Sequence, residues 1–363
     1  MVITAIFKHR IFYCKSVFEK IRKGTLFVRT FINEPIIPVS QLRHTHSVPQ
    51  KGPWSVLFFG TDEFAVQSLQ RLHLEFKLKR LLCRLEVVTV SKGRDNAVSR
   101  YTRQEGIVMH HWPLDIDLAD FHIGIVVSFG HLIPAHVIQS FPLGMINIHA
   151  SLLPRWRGAA PIIYALMNGD TVTGITIMNI KPHKFDIGEI ILQEKVDILP
   201  DEKMPELYNR LANLGGDLLI KVTENLPEIL NNCKSQSKAS VKYAPKVSSK
   251  IALINWSTMT AKNVYDLQRA LTGLYVLKTK FENKTVKLID IKIVMDVPEK
   301  AKLLQNTPGL FIYDKMSRAL FVRCRDDSWI AVKKLVLPGR PPMTACDFNN
   351  GFLSKTKHTL CFL

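Results

Sequence analysis

Short, continuous runs of apolar residues in the first half of the chain constrain its fold most strongly. One run occupies residues 55–59 and ends in Gly60, another occupies 123–127, and buried strands also fit 86–90 and 145–149, which include polar residues. Runs of this length without polar alternation are typical of strands that are buried on both faces. Segments with helical character separate the runs, so the pattern predicts an α/β fold with a mostly parallel, Rossmann-like sheet covered by helices.

The residues between these strands give signals for helix ends. Thr61 or Asp62 can cap a helix that runs through Leu72, and Pro161 suits the first turn of another helix that Gly169 ends. The residues after Gly60 do not supply the G-x-G-x-x-G phosphate turn, so the sheet is not predicted to bind a dinucleotide. Further along we expect a helical segment from Pro134 to residue 140, strands at 173–180 and 190–196 and a helix that begins near residue 201.

The second half of the chain has a different pattern. Residues 231–250 are polar and rich in Ser and Lys, which predicts a linker between a first domain at 51–230 and a second domain at 251–363. The second domain is predicted to hold one helix and then short alternating strands, which favour a small, OB-like β-barrel. The helix is expected at 260–271 and the strands at 286–294, 310–314, 319–324 and 329–336.

Charge and cysteine content narrow the classes of function. The chain has 49 Lys and Arg against 31 Asp and Glu, a net charge of +18 that attracts polyanions and makes nucleic acid the first candidate partner. No apolar run approaches the roughly 18 residues that a membrane span requires. The six cysteines are scattered without a C-x-x-C pair, so we expect neither a metal site nor a disulfide framework.

The first fifty residues are basic and poor in acids. They contain eight Lys and Arg but only Glu19 and Glu34, interleaved with apolar residues. This composition is typical of an organellar transit peptide, and the alternative is a disordered basic arm that contacts RNA.

The most informative polar residues lie at the end of the strand predicted at 145–149. The period of two along a strand places Asn147 and His149 on one face, with Ile146 and Ile148 on the other. Ligands of open α/β sheets bind at the carboxyl ends of the strands, so this amide and imidazole are expected to face a ligand crevice. Asp186, on a loop after the next strand, can return beside the imidazole.

These three side chains suit group transfer through a tetrahedral intermediate. Asn147 can donate a hydrogen bond to a developing oxyanion, His149 can exchange protons near neutral pH, and Asp186 can orient the imidazole. Each residue also has a simpler interpretation, in which the Asn is a turn residue, the His is structural and the Asp caps a turn. The residue types alone leave both interpretations open.

The run at 151–161, Ser-Leu-Leu-Pro-Arg-Trp-Arg-Gly-Ala-Ala-Pro, resembles the signature loop of methionyl-tRNA formyltransferases. Asn147, His149 and Asp186 match the catalytic residues of that family, and the resemblance extends over roughly residues 54 to 350. It includes matches at 174–178, 243–246 and 254–256. It implies 10-formyltetrahydrofolate as co-substrate, with no metal, and initiator methionyl-tRNA as acceptor.

The resemblance also implies binding residues. The folate is expected beside the signature loop and in an apolar pocket, at Ser151, Leu152, Leu153, Pro154, Phe129, Gly130, Leu132 and Ile133. The acceptor end of the tRNA is expected at Arg155 and Arg157, although structural pairing of these two arginines is an equal alternative. A shortened basic loop at 91–103 adds Lys92, Arg94, Arg100 and Arg103, and the C-terminal barrel is expected to help hold the tRNA.

The resemblance therefore predicts a monomeric enzyme of the mitochondrial matrix that formylates methionyl-tRNA for translation initiation. Two other functions stay open. The first is a different formyl-folate enzyme, which formylates a purine precursor or a sugar, or hydrolyses the formyl folate, and which would not need a basic second domain. The second is a non-catalytic RNA-binding protein that retains the fold.

Overall fold

A seven-stranded sheet forms the frame of the first half of the chain. The computed structural model describes residues 50–90, 95–302, 306–353 and 360–363, so the predicted transit peptide lies outside the described residues, apart from residue 50. The strand order is β3-β2-β1-β4-β5-β6-β7. Strands β1 to β5 are parallel, whereas β6 and β7 are antiparallel to their neighbours. The strands are β1 (Trp54–Gly60), β2 (Leu82–Thr89), β3 (Val108–His111), β4 (Ile123–Val127), β5 (Met145–His149), β6 (Val172–Asn179) and β7 (Ile190–Asp197).

Helices cover both faces of this sheet. Asp62 caps the first helix, because its Oδ1 accepts a hydrogen bond from the backbone N–H of Ala65 at 3.0 Å. Pro161 occupies the first turn of the fourth helix, where its missing N–H has no cost. The helices of this half are α1 (Glu63–Lys77), α2 (Ala97–Gln104), α3 (Ala135–Gln139), α4 (Pro161–Met167) and α5 (Met204–Glu224).

The second half is built on a smaller antiparallel sheet. Its strand order is β10-β11-β12-β9-β8, with β13 paired to β12. The elements are α6 (Ala261–Leu271), β8 (Leu277–Phe281), β9 (Lys284–Val294), α7 (Glu299–Lys302), β10 (Phe311–Asp314), β11 (Ala319–Arg323), β12 (Trp329–Val336), β13 (Met343–Thr344) and α8 (Ala345–Phe348).

Residues 360–363 close the smaller sheet into a barrel. The backbone of Leu363 exchanges two hydrogen bonds with Lys280 on β8, and the backbone of Leu360 accepts one from Phe311 on β10. The ring of Phe362 is buried and stacks on Phe311 with a centroid separation of 4.2 Å. The two edge strands are therefore bridged by one short segment.

The two halves are joined through α6. Asp266 and Arg269 on this helix are both buried and form an ion pair at 2.9 Å. The Arg269 Nη1 also donates to the backbone carbonyl of Glu202 at 3.2 Å, just before α5. The partners satisfy both charges, which burial would otherwise make unfavourable.

The predicted fold class is confirmed, with differences at particular elements. Strand β2 begins four residues earlier than predicted, and β3 and β8 were not predicted. Residues 97–103, which were predicted as part of a basic loop, belong to helix α2, which Asn96 caps through a hydrogen bond from Ser99. Among the helices in the described ranges, none is both long enough and apolar enough to span a membrane.

We expect Phe362→Ala to destabilise the barrel by about 3–5 kcal/mol, because it removes a buried aromatic ring from between Phe311 and Trp256. Urea unfolding followed by tryptophan fluorescence measures this loss. Leu363→Ala is the matched control, because its side chain is exposed and its backbone pairing is retained. An equal effect of the two substitutions would show that the ring does not stabilise the closure.

Candidate active site

A cavity opens at the carboxyl ends of β4 and β5. Its volume is about 590 Å³, within the range of roughly 300–1,000 Å³ that is usual for small-molecule sites. Its walls come from the segment after β4, the end of β5, the segment before α4 and the loop between β6 and β7. This is the position in an open α/β sheet at which a ligand crevice is expected.

The polar residues of β5 reach this cavity together. Asn147 and His149 both line it, whereas the side chains of Ile146 and Ile148 belong to the core cluster that includes helices α1 and α5, although Ile148 also borders the cavity. The alternation along the strand thus separates a polar face from an apolar one, as the sequence predicted. Asp186, on the β6–β7 loop, lines the same cavity.

The imidazole of His149 lies between two protein groups. Its Nε2 is 2.9 Å from the backbone carbonyl oxygen of Trp156, and because a carbonyl only accepts, Nε2 must carry a hydrogen. Its Nδ1 faces the Asp186 carboxylate, with 3.7 Å between Nδ1 and Oδ1. The side chain is only 7% exposed, so few water molecules compete with these partners. The ring orientation and the tautomer are therefore both set by the protein.

The Asp186 carboxylate is held on its other side by the signature loop. Its Oδ2 accepts a hydrogen bond from the backbone N–H of Gly158 at 2.8 Å. Asp186 has φ of 57°, a left-handed conformation that is unusual for a residue with a side chain. Gly158 has φ of 121°, and a Cβ at that position would lie 2.7 Å from the carbonyl oxygen of Ala244, so glycine is required there.

The Asn147 side chain differs from its two neighbours. The part of the chain that the structure describes gives its amide no hydrogen bond to protein, and the side chain lines the cavity. An amide N–H that faces a cavity without an internal partner is available to a ligand oxygen. The three side chains thus comprise one free donor and one oriented imidazole–carboxylate pair.

The residues predicted to contact folate divide into two groups. Phe129, Gly130, Leu132 and Ile133 line the cavity, with Phe129 and Ile133 buried. Ser151, Leu152, Leu153 and Pro154 are outside its lining and form internal contacts of the signature loop. The Ser151 Oγ donates to the Arg155 carbonyl at 2.7 Å, and the Leu153 N–H donates to the Thr176 hydroxyl at 3.1 Å.

Comparison with known proteins identifies the family. Residues 114–223 match the family model described as formyl transferase, and residues 246–353 match the formyl transferase C-terminal domain. The chain is 41% identical over 313 residues to proteins named methionyl-tRNA formyltransferase, mitochondrial, from Bos taurus and Homo sapiens, covering 84% of this chain and 79% of each relative. The chain belongs to the methionyl-tRNA formyltransferase family.

A solved structure supports the fold of this family. The N-formyltransferase from Helicobacter canadensis, in complex with folinic acid and dTDP-3-aminofucose, matches with a TM-score of 0.56 and 18% identity. The match covers 77% of this chain and 98% of that one. The formyltransferase fold and the formyl-transferring class of enzyme, both predicted from the sequence, are confirmed.

The arginines of the signature loop both have protein partners. Arg155 forms two hydrogen bonds with the Asp170 carboxylate, at 2.8 and 2.5 Å, and its guanidinium lies over the Trp156 ring. This pairing raises the pKa of Arg155 further. Arg157 donates two hydrogen bonds to the Gln236 side chain, at 3.1 and 2.6 Å. In this structure both arginines shape the loop, and any contact with a formyltransferase substrate remains a prediction.

The other predicted tRNA contacts lie on or before α2. Arg100 pairs with Glu63 at 3.0 Å, and Arg103 pairs with Asp95. Both arginines are exposed at a helix surface, whereas the sequence placed them on a loop. Lys92 and Arg94 lie outside the described residues.

Two polar residues of the cavity lining were not predicted from the sequence. Asp62 and Tyr208 both line the cavity. Burial raises the pKa of the Asp62 carboxyl, and burial together with nearby Asp62 raises the pKa of the Tyr208 hydroxyl. The sequence pattern predicts only a helix cap at Asp62, and the helical spacing around Tyr208 is carried by its apolar neighbours. Neither local pattern therefore indicated a site.

Sequence reasoning also did not connect the predicted linker to the site. Backbone hydrogen bonds join Lys242 and Ala244 to Arg157 and Ala160 of the signature loop. Ala244 is fully buried beneath that loop. The family match at 243–246 was the available signal, but it did not show that the segment supports the signature loop.

We expect Asp170→Asn to destabilise the protein by about 1–3 kcal/mol, because the carboxylate accepts from both Arg155 and the Trp156 indole N–H. The midpoint of urea unfolding measures the change. Asp217→Asn is the control, since that exposed carboxylate makes one surface pair with Arg71. Its substitution should change the free energy of unfolding by less than about 0.5 kcal/mol. Equal midpoints would contradict a structural role for the Asp170 cluster.

Proposed function

We propose that the protein transfers the formyl group of 10-formyltetrahydrofolate to the amino group of methionyl-tRNA for translation initiation in the mitochondrial matrix. The observation that carries the proposal is the convergence of Asn147, His149 and Asp186 on one cavity of ligand size. The names of the relatives supply the acceptor and the mitochondrial location. One chain supplies all three side chains, so the proposal requires only a monomer.

The free amide of Asn147 defines the position of the reacting carbon. The methionyl nitrogen attacks the formyl carbon, and the Asn147 N–H donates to the oxygen that becomes negative in the tetrahedral intermediate. The new N–C bond then remains while the bond from the formyl carbon to the folate nitrogen breaks. The nucleophile belongs to the substrate, so no covalent bond to the enzyme forms.

His149 transfers protons during the formyl transfer. The attacking amine loses one proton, and the departing folate nitrogen gains one. Because the Trp156 carbonyl holds Nε2–H, Nδ1 is the ring nitrogen that can accept and return a proton. The positive charge that this creates faces the Asp186 carboxylate 3.7 Å away.

The apolar part of the cavity suits the folate ring system. Phe129 and Ile133 form a buried apolar wall beside β4, and flat heterocycles bind in such clefts with a few polar contacts that fix their orientation. In this proposal the pterin lies against Phe129 to Ile133 and the formyl group points to Asn147.

The charge of the second domain favours tRNA over a small amine as acceptor. Six exposed lysines lie on β8, β9 and β12: Lys280, Lys284, Lys287, Lys292, Lys333 and Lys334. Together with the net charge of +18 they provide a surface that attracts a polyanion. An enzyme that formylates a sugar or a purine precursor does not need such a surface.

An acceptor assay tests the proposal. The purified protein is incubated with 10-formyltetrahydrofolate and with methionyl-tRNA, free methionine or an amino-sugar nucleotide. We expect formylation of methionyl-tRNA alone. Transfer to a small amine with no transfer to methionyl-tRNA would refute the acceptor, and hydrolysis of the formyl folate without any transfer would refute the reaction.

Substitutions at the three polar residues test the mechanism. Asn147→Ala should lower turnover by about 10²- to 10³-fold through loss of the oxyanion donor. His149→Ala should lower it by roughly 10²- to 10⁴-fold through loss of proton transfer, and Asp186→Ala should also reduce turnover strongly. Single-turnover kinetics separate turnover from substrate binding, which should change little. Near-normal turnover in folded variants would overturn the assignment.

A further inference from the structure

Gln236 lies in the segment between the two predicted domains but contacts both loops that flank His149. It is half-buried and is not among the residues that line the cavity. Its amide is fully used by the protein: the nitrogen donates to two backbone carbonyls and also lies 3.8 Å from the Met178 Sδ, and the oxygen accepts two hydrogen bonds. This arrangement differs from that of a surface glutamine, whose amide is usually solvated.

The donor end of Gln236 holds the loop that carries Asp186. Its Nε2 donates to the backbone carbonyl of Asp186 at 3.0 Å and to that of Gly188 at 2.9 Å. Asp186 has a left-handed backbone conformation, which costs energy unless surrounding contacts hold it. The loop has little room to adjust, because a Cβ at Gly188 would lie 1.6 Å from the Asn179 carbonyl oxygen.

The acceptor end of Gln236 holds the signature loop. Its Oε1 accepts from the Arg157 Nε at 3.1 Å and from the Arg157 Nη2 at 2.6 Å. Arg157 directly follows Trp156, whose carbonyl accepts from His149 Nε2. The two ends of one amide therefore hold the two loops whose groups face the two nitrogens of the imidazole.

From these contacts we propose that Gln236 is a positioning residue, which sets the distance between the Trp156 carbonyl and the Asp186 carboxylate and thereby orients His149. It acts through Asp186 and touches no reacting atom. A displacement of about 1 Å in a catalytic group can lower the rate by roughly 10²-fold, so the loss of this bridge should reduce turnover. The inference rests on the proposed function.

A double-mutant cycle tests whether Gln236 acts through Asp186. Gln236→Ala should lower kcat by roughly 10-fold or more while KM for methionyl-tRNA changes by less than about 2-fold. In the Asp186→Ala background the same substitution should have almost no further effect, because the group that it positions is already absent. A residue that merely stabilised the fold would lower the rate equally in both backgrounds.

Gln236→Glu separates the two ends of the side chain. Its carboxylate still accepts from Arg157 but cannot donate to the carbonyls of Asp186 and Gly188. We expect kcat to fall as far as in Gln236→Ala, whereas Arg157→Met, which leaves both donor bonds intact, should have a smaller effect. Gln236→Glu also keeps the inference testable if Gln236→Ala does not fold.

Gln193→Ala is the matched control. The Gln193 amide also holds the signature loop, through the Leu153 carbonyl at 3.1 Å and the Thr176 hydroxyl at 2.8 Å, but it has no contact with Asp186. In the double variant, the fold-loss of kcat caused by Gln193→Ala should multiply with that caused by Asp186→Ala. The inference would be overturned if the kcat losses of Gln236→Ala and Asp186→Ala multiplied in the double variant, or if Gln236→Glu had normal turnover.

The wild-type protein distinguishes failure of this inference from failure of the proposed function. If it formylates a different amine, the acceptor is wrong, and the same cycle is run with that amine. If it formylates methionyl-tRNA and the cycle shows no coupling, only the role of Gln236 is wrong.

Discussion

The placement of one imidazole determines how the rest of the site is built. His149 gives its Nε2–H to the Trp156 carbonyl and turns Nδ1 toward the Asp186 carboxylate. These two partners are separated by thirty positions in the chain, so no local structure can set their spacing. The sheet places His149, the signature loop places Trp156, and the β6–β7 loop places Asp186.

Both loops beside this imidazole contain residues with a strained backbone. Trp156 and Asp186 both have positive φ, at 64° and 57°, and Gly158 adopts a conformation that a side chain would prevent. Such residues persist only where several contacts hold them. The contacts are present: Asp170 binds Trp156 and Arg155, Gly158 donates to Asp186, and the backbone at 242–244 pairs with the signature loop.

The arginines illustrate how a charged residue can serve structure within a positively charged protein. Arg155 and Arg157 stand in the most family-specific run of the chain, yet Asp170 and Gln236 occupy their guanidinium donors. The exposed lysines of the barrel are better placed to attract a polyanion. Arg269, which is buried and paired with Asp266 on α6, also donates to the Glu202 carbonyl and so links the second half of the chain to the first.

The sequence by itself determined four of the five parallel strands, several helix ends and the common face of Asn147 and His149. These follow from apolar runs, capping residues and the period of two, all of which act over a few residues. The residues of β3 are largely exposed and show no continuous apolar run, so this edge strand escaped prediction. The sequence also identified Asp186, from its place on a loop after the next strand and from resemblance to a family.

Only the tertiary structure decided which groups meet at the site. It brought Asp186 to His149, Asp62 and Tyr208 to the same cavity, and Gln236 between the two loops. In the tertiary structure Arg155 and Arg157 also bond to other protein side chains, and residues 360–363 close the barrel. These contacts join residues far apart in the chain, and their formation depends on packing that no local pattern of residues contains.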